Sequence, residues 1–146
     1  MKKYLQNYLA LFLIMGCIGI TVEIFFTAIY DIVNHTNKGL TLEGHSYIWM
    51  FPLYGITALA FPLVTKALDR FHWWGRGLFY GVGILIVEYI AGAALRHYTG
   101  SCPWEYKQGM HINGLIRLDF YPLWVLFGVG VEAVINWLHP RVSLKN

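Results

Sequence analysis

Three glutamates, Glu23, Glu88 and Glu132, stand inside stretches that are otherwise apolar. A charge at the centre of a bilayer costs about 3 kcal/mol even on insertion scales, so such residues face a partner or a polar site and not lipid. The chemistry open to them is cation binding, proton exchange, or hydrogen bonding as a neutral acid, because a carboxyl in low dielectric resists ionising. Arg96 follows Glu88 by eight residues, about 12 Å of helical rise, too far for the two to pair within one helix. Arg117, Asp119 and Asp31 carry the charges that could answer them. The expected substrate- or ion-binding set is therefore Glu23, Glu88, Glu132, Arg96, Arg117, Asp119 and Asp31. The competing reading makes the glutamates packing devices, paired or neutral, that hold helices in register.

A second candidate set lies in the segment 97–119: His97, Cys102, Trp104, Glu105, Tyr106 and His111. The spacing His97-x4-Cys102-x8-His111 fits no metal-site pattern, so neither a metal nor another cofactor is expected. Glu88 with His97, or Asp119 with His111, could do acid–base chemistry, but no Ser, Cys or Thr nucleophile stands beside an acid and a base. No residue is assigned a catalytic role.

The elements that must position these groups follow from composition. Of 146 residues, 57% are hydrophobic and 13% charged, against about 25% charged in a soluble domain. Mean hydropathy is +0.48. Four runs, 8–30, 46–65, 77–96 and 120–138, are long enough to cross about 30 Å of hydrocarbon. The expected architecture is an all-α membrane protein, a four-transmembrane-helix bundle forming a single domain over 1–146. The basic N-terminus and Cys17 resemble a lipoprotein signal, yet the apolar run continues past Cys17, so a retained helix is expected. Lys2, Lys3, Lys66, Arg70, Arg76, Arg141 and Lys145 fall on one side of the spans and Lys38, Arg96, Lys107 and Arg117 on the other. That excess puts both termini in the cytoplasm. The net charge of +3 and the lack of basic–aromatic interleaving argue against nucleic acid as a partner.

The polar residues lie on small-residue stripes. Gly77, Gly81, Glu88, Gly92 and Arg96 share one face of the third helix; Gly16, Glu23, Thr27 and Asp31 share one of the first; Gly128, Glu132, Asn136 and His139 share one of the fourth. Glycines there let a neighbouring helix come close. A shift of 65 residues carries Gly16 onto Gly81 and Val22-Glu23 onto Val87-Glu88, and a shift of 70 carries Phe51-Pro52-Leu53 onto Tyr121-Pro122-Leu123. This reads as a duplicated helical hairpin, the copies in parallel orientation, as transporters use it. The segment 97–119, dense in Trp, Tyr and paired charge, reads either as an amphipathic connector anchored by Trp104 and Tyr106, the simpler account, or as a lid folded back over the helices.

Cys102-Pro103-Trp104-Glu105-Tyr106, with Gly114-Leu115-Ile116 and Leu118-Asp119, resembles the family named putative ABC-transporter type IV, or CmpB-like, whose animal relatives are the transmembrane protein 229 group. The resemblance extends to Glu23 through Ala28, Trp49 through Gly55, the Glu88–Arg96 spacing and Glu132. Glu105 and Asp119 stand where relatives are expected to carry Asp and Glu. What the resemblance implies is a small multi-helix membrane protein. No G-x-x-x-x-G-K-[ST] phosphate loop occurs, so any ATP hydrolysis would need a separate ATPase. Three functions stay open. The first is a transport or permease-type component with a polar cavity, working as a homo-oligomer or with a partner subunit. The second is an accessory or assembly subunit, and the third a membrane enzyme acting on an amphiphilic or anionic lipid.

Overall fold

A computed structural model describes the backbone of residues 2–34 and 41–143 and the side chains of 6–34 and 41–138. Lys2, Lys3, Lys38, His139, Arg141 and Lys145, which enter the charge and stripe readings, lie outside the described side chains.

Four helices carry the chain: α1 (Lys2–Val33), α2 (Met50–Ala67), α3 (Trp73–Thr99) and α4 (Tyr121–Ser143). Within them Gln6–Val33, Met50–Ala67, Trp73–Thr99 and, with the preceding 3-10 turn, Leu118–Leu138 are each long and apolar enough to cross a membrane. Their flanks carry large apolar side chains outward, among them Phe25 at 68% and Leu63 at 72% exposed. A water-soluble surface does not hold such a density, so this is an integral, multi-pass, all-α membrane protein.

Helix ends depart from the hydropathy reading for local reasons. α2 starts at Met50 and not at 46, because residues 41–47 run without regular structure and a turn, Met50 N–H to Tyr47 O at 2.8 Å, closes just before it. Pro52 and Pro122 fall in the first turns of α2 and α4, where a missing N–H costs nothing. α3 stops at Gly100, whose φ of +84° suits glycine and whose N–H caps Arg96 O at 3.0 Å.

The chain divides into two compact units. One holds α1, α2 as far as Leu63, and α4 from Ile135. There Gly16 sits against Phe51, Gly19 against Tyr54, and Gly55 against Phe12, each too close for a Cβ without movement of the ring. The other, Val64–Val134, contains α3 and α4 as far as Val134. Gly77 and Gly81 receive Val125, Val129 and Tyr121, and Gly128 receives Tyr80.

The α3–α4 connection packs against the helix it leaves. It folds back onto α3, burying Cys102, Gly114, Leu115 and Ile116. Two short antiparallel strands, β1 (His111–Ile112) and β2 (Ile116–Arg117), pair His111 with Arg117 and Ile112 with Ile116. Asn113 and Gly114, both at positive φ, make the turn between them.

Candidate functional site

The segment after α3 meets the polar stripe of that helix residue by residue. Cys102 and Trp104, with Leu115, fill the gap left by Gly92: a Cβ there would lie 3.0 Å from Leu115 Cδ2 and 3.2 Å from Cys102 Sγ. Glu105 reaches along the helix, its Oε1 accepting from Arg96 Nη2 at 2.9 Å. The next residue, Tyr106, reaches the other way and donates from its hydroxyl to Glu88 Oε1 at 2.7 Å. Trp104 Nε1 donates to Leu115 O at 3.2 Å and Tyr106 N–H to Gly114 O at 2.9 Å, which hold the segment in shape. Every side chain of the Cys-Pro-Trp-Glu-Tyr run except the proline thus touches α3 or the ribbon that covers it. Arg96 keeps its Nε buried and without a hydrogen-bond partner among the described residues.

Arg117 and Asp119 pair with each other through a two-point contact, Nε to Oδ1 at 3.1 Å and Nη2 to Oδ2. The guanidinium lies 3.9 Å over the Phe120 ring and 6.0 Å from that of Tyr106. Gly109, at φ +81°, packs directly against it. Phe120 in turn meets Tyr106 and Trp124 edge-on, at 6.2 and 6.5 Å. His111 Nδ1 accepts from Gly114 N–H at 3.2 Å, and His97 meets the Tyr98 ring edge-on, so both histidines are engaged locally. Cys102 is 4% exposed; burial pushes its thiol up, offset in part by a backbone hydrogen bond at Trp104 and the charge of Arg96.

Glu132 belongs to a separate cluster in the same unit. Arg76 grips it at two points, Nε to Oε2 at 3.0 Å and Nη2 to Oε1 at 2.5 Å, and Tyr80 donates to Oε2 at 2.7 Å. Thr65 Oγ1 lies 2.9 Å from the same tyrosine hydroxyl, while Arg76 Nη1 bonds Phe71 O at 2.9 Å. Arg76 precedes Glu88 by twelve residues, about 18 Å along α3, so Glu132 and Glu88 occupy different levels. Sequence reading counted Arg76 only as a flanking charge; its four-residue spacing from Tyr80, one turn on the same face, was the available signal.

In the unit holding α1, Glu23 Oε2 accepts from Ser46 Oγ and Tyr54 OH, both at 2.9 Å. Ser46 is delivered by the extended segment before α2. Gly44 comes so near Ile24 O that no Cβ would fit, and Thr27 Oγ1 exchanges bonds with the backbone of His45 at 2.8 and 2.9 Å. Asp31 lies half-buried two turns further along α1.

No solved structure matches this chain. A family model described as Putative ABC-transporter type IV matches residues 10–145, and its span takes in all four helices, the Cys102–Tyr106 run and each of the three glutamates. This chain belongs to that family, the ABC_trans_CmpB family.

Proposed function

We propose that the chain is a membrane-embedded transport component that binds a small polar or cationic ligand on the Glu88–Arg96 face of α3, beneath the segment 100–117. The family description, that of a transporter-related membrane protein, supports this reading. The observation that carries it is the Tyr106–Glu88 hydrogen bond: a mid-span carboxylate accepts from a neutral hydroxyl on a loop, a bond that a polar ligand could replace. Arg96, with one buried donor unmet, borders the same face. By the charge tally this face is expected on the side away from the cytoplasm, and four spans in one chain favour a homo-oligomer or a partner subunit for a complete path. Any ATP-driven step needs a separate ATPase, since the phosphate-loop motif is missing from this chain.

Native mass spectrometry of the protein released from nanodiscs tests this. The expected result is a non-lipid adduct on the wild type that disappears in Glu88→Gln while the variant keeps its melting temperature. An adduct that survives the substitution removes Glu88 from the site. A second reading, an accessory subunit, is favoured by Glu132, whose carboxylate is fully taken up by Arg76 and Tyr80 as a tie between helices. It predicts a co-purifying polypeptide and no small ligand.

A further inference from the structure

Glu23 has the same place in α1 that Glu88 has in α3, and the contacts around it follow the sequence shifts of 65 and 70. Gly16 lies against Phe51 as Gly81 lies against Tyr121. The Phe12–Gly55 contact returns, with large and small partners exchanged, as Gly77 against Val125. Each glutamate also accepts a hydrogen bond from a tyrosine hydroxyl, but from positions the shifts do not relate: Tyr54 of α2 for Glu23 and Tyr106 of the segment after α3 for Glu88. The glycine contacts support two copies of one helical hairpin, and they mark Glu23 as the counterpart of Glu88.

Its surroundings fix the chemistry. Among the described residues Glu23 is hydrogen-bonded only by two neutral hydroxyls, Ser46 and Tyr54, both on Oε2. The titratable groups near it are Tyr54 from α2 and His45 from the extended segment 41–47; the imidazole is exposed and meets Tyr47 edge-on at 6.0 Å. Glu132, by contrast, has a guanidinium bonded at two points. A half-buried carboxyl in mid-span without a bonded cation among the described residues avoids burying a net charge when it is the neutral acid; the two hydroxyl bonds on Oε2 can serve either form, and the acid carries its proton on Oε1.

We infer that Glu23 is a proton-binding site, loaded as the carboxylic acid between the Ser46 and Tyr54 hydroxyls and discharged to water past His45. It extends the transport reading by naming the ion that could couple to it, and rests on that reading only for this role. One proton adds to one carboxylate; no other bond changes.

Infrared difference spectroscopy of the full chain in lipid, wild type against Glu23→Gln, is the test. The wild type is expected to show a protonated-carboxyl carbonyl band, sensitive to deuteration, that Glu23→Gln lacks and that fades about tenfold per pH unit once the group ionises. Identical acid-carbonyl bands in the two proteins overturn the proposal. Should Glu23→Gln not fold, Tyr54→Phe replaces it. Loss of one donor then moves the band to higher frequency, and an unmoved band counts against the site. A hydrophobic carbodiimide, which adds across a protonated carboxyl without a leaving group, gives a second readout. Modification of Glu23 with Glu132 untouched supports the proposal, and Glu132 reacting in place of Glu23 overturns it. The ligand adduct on Glu88 is scored separately, so a proton band with no adduct leaves Glu23 standing and removes only the transport role.

Discussion

Arg76 and Glu132 show how a pair of charges is tolerated inside an apolar span. The carboxylate is 7% exposed and accepts three hydrogen bonds, two from one planar guanidinium and one from Tyr80, so its charge is met where it sits. Leaving one partner alone is the costly step. Arg76→Met is expected to lower the melting temperature clearly, because Glu132 stays buried without its counter-charge. The double variant Arg76→Met with Glu132→Leu is expected to recover most of that loss, since neither charge then needs solvation. Thermal denaturation of the purified proteins in one detergent decides it, and equal melting of the single and double variants would show that the pair is no tie. Such a pair is hidden from a linear reading: its members stand 56 residues apart, and only the packing of α3 against α4 brings them together. Glu105 and Arg96, nine apart across a glycine-capped helix end, were closer to legible.

At the scale of elements, hydropathy located the four helices to within a few residues, because length and apolarity alone determine what can cross a bilayer. The segment after α3 was not legible in the same way. Its course depends on a gap at Gly92 and on turn residues, of which Asn113-Gly114 was the readable signal for the small ribbon. The gap makes a prediction. Gly92→Val places methyls where Leu115, Cys102 and Trp104 now lie, so the segment must lift from α3. Cys102 reports it: in the wild type the thiol is buried and held up in its titration, so thiolate is scarce near neutrality and maleimide reacts slowly, faster as pH rises. A group whose acid form the fold favours contributes stability at low pH and loses it as pH climbs through the folded value. In Gly92→Val, labelling at neutral pH is expected to rise about tenfold or more. Unchanged labelling would mean that the segment does not depend on the glycine for its seat.

For the whole molecule the open structural variable is orientation, and it decides which compartment the Glu88 face serves. A chain that crosses four times is expected to carry its α2–α3 turn on the side of both termini and the segment 100–117 on the other side of the bilayer. Lys66 and Arg70 flank that turn, and Arg76 is neutralised by Glu132, so the cytoplasmic bias rests on fewer free charges than the raw tally gives. On the other side Arg96 and Arg117 are likewise paired, to Glu105 and Asp119, which leaves Lys107 as the unpaired basic group among the described residues there. Among the described residues Lys66 and Arg70 then stand against Lys107. Single-cysteine variants at exposed sites read it directly, in a background with Cys17→Ala and Cys102→Ala. Lys107→Cys is expected to react with a membrane-impermeant maleimide in intact cells. Asp69→Cys, in the α2–α3 turn, is expected to react only after permeabilisation. Neither change weakens the bias, since one removes a positive charge from the lighter side and the other a negative charge from the heavier side. The reverse labelling would turn the Tyr106–Glu88 contact toward the cytoplasm, and a ligand would then be taken up from within the cell.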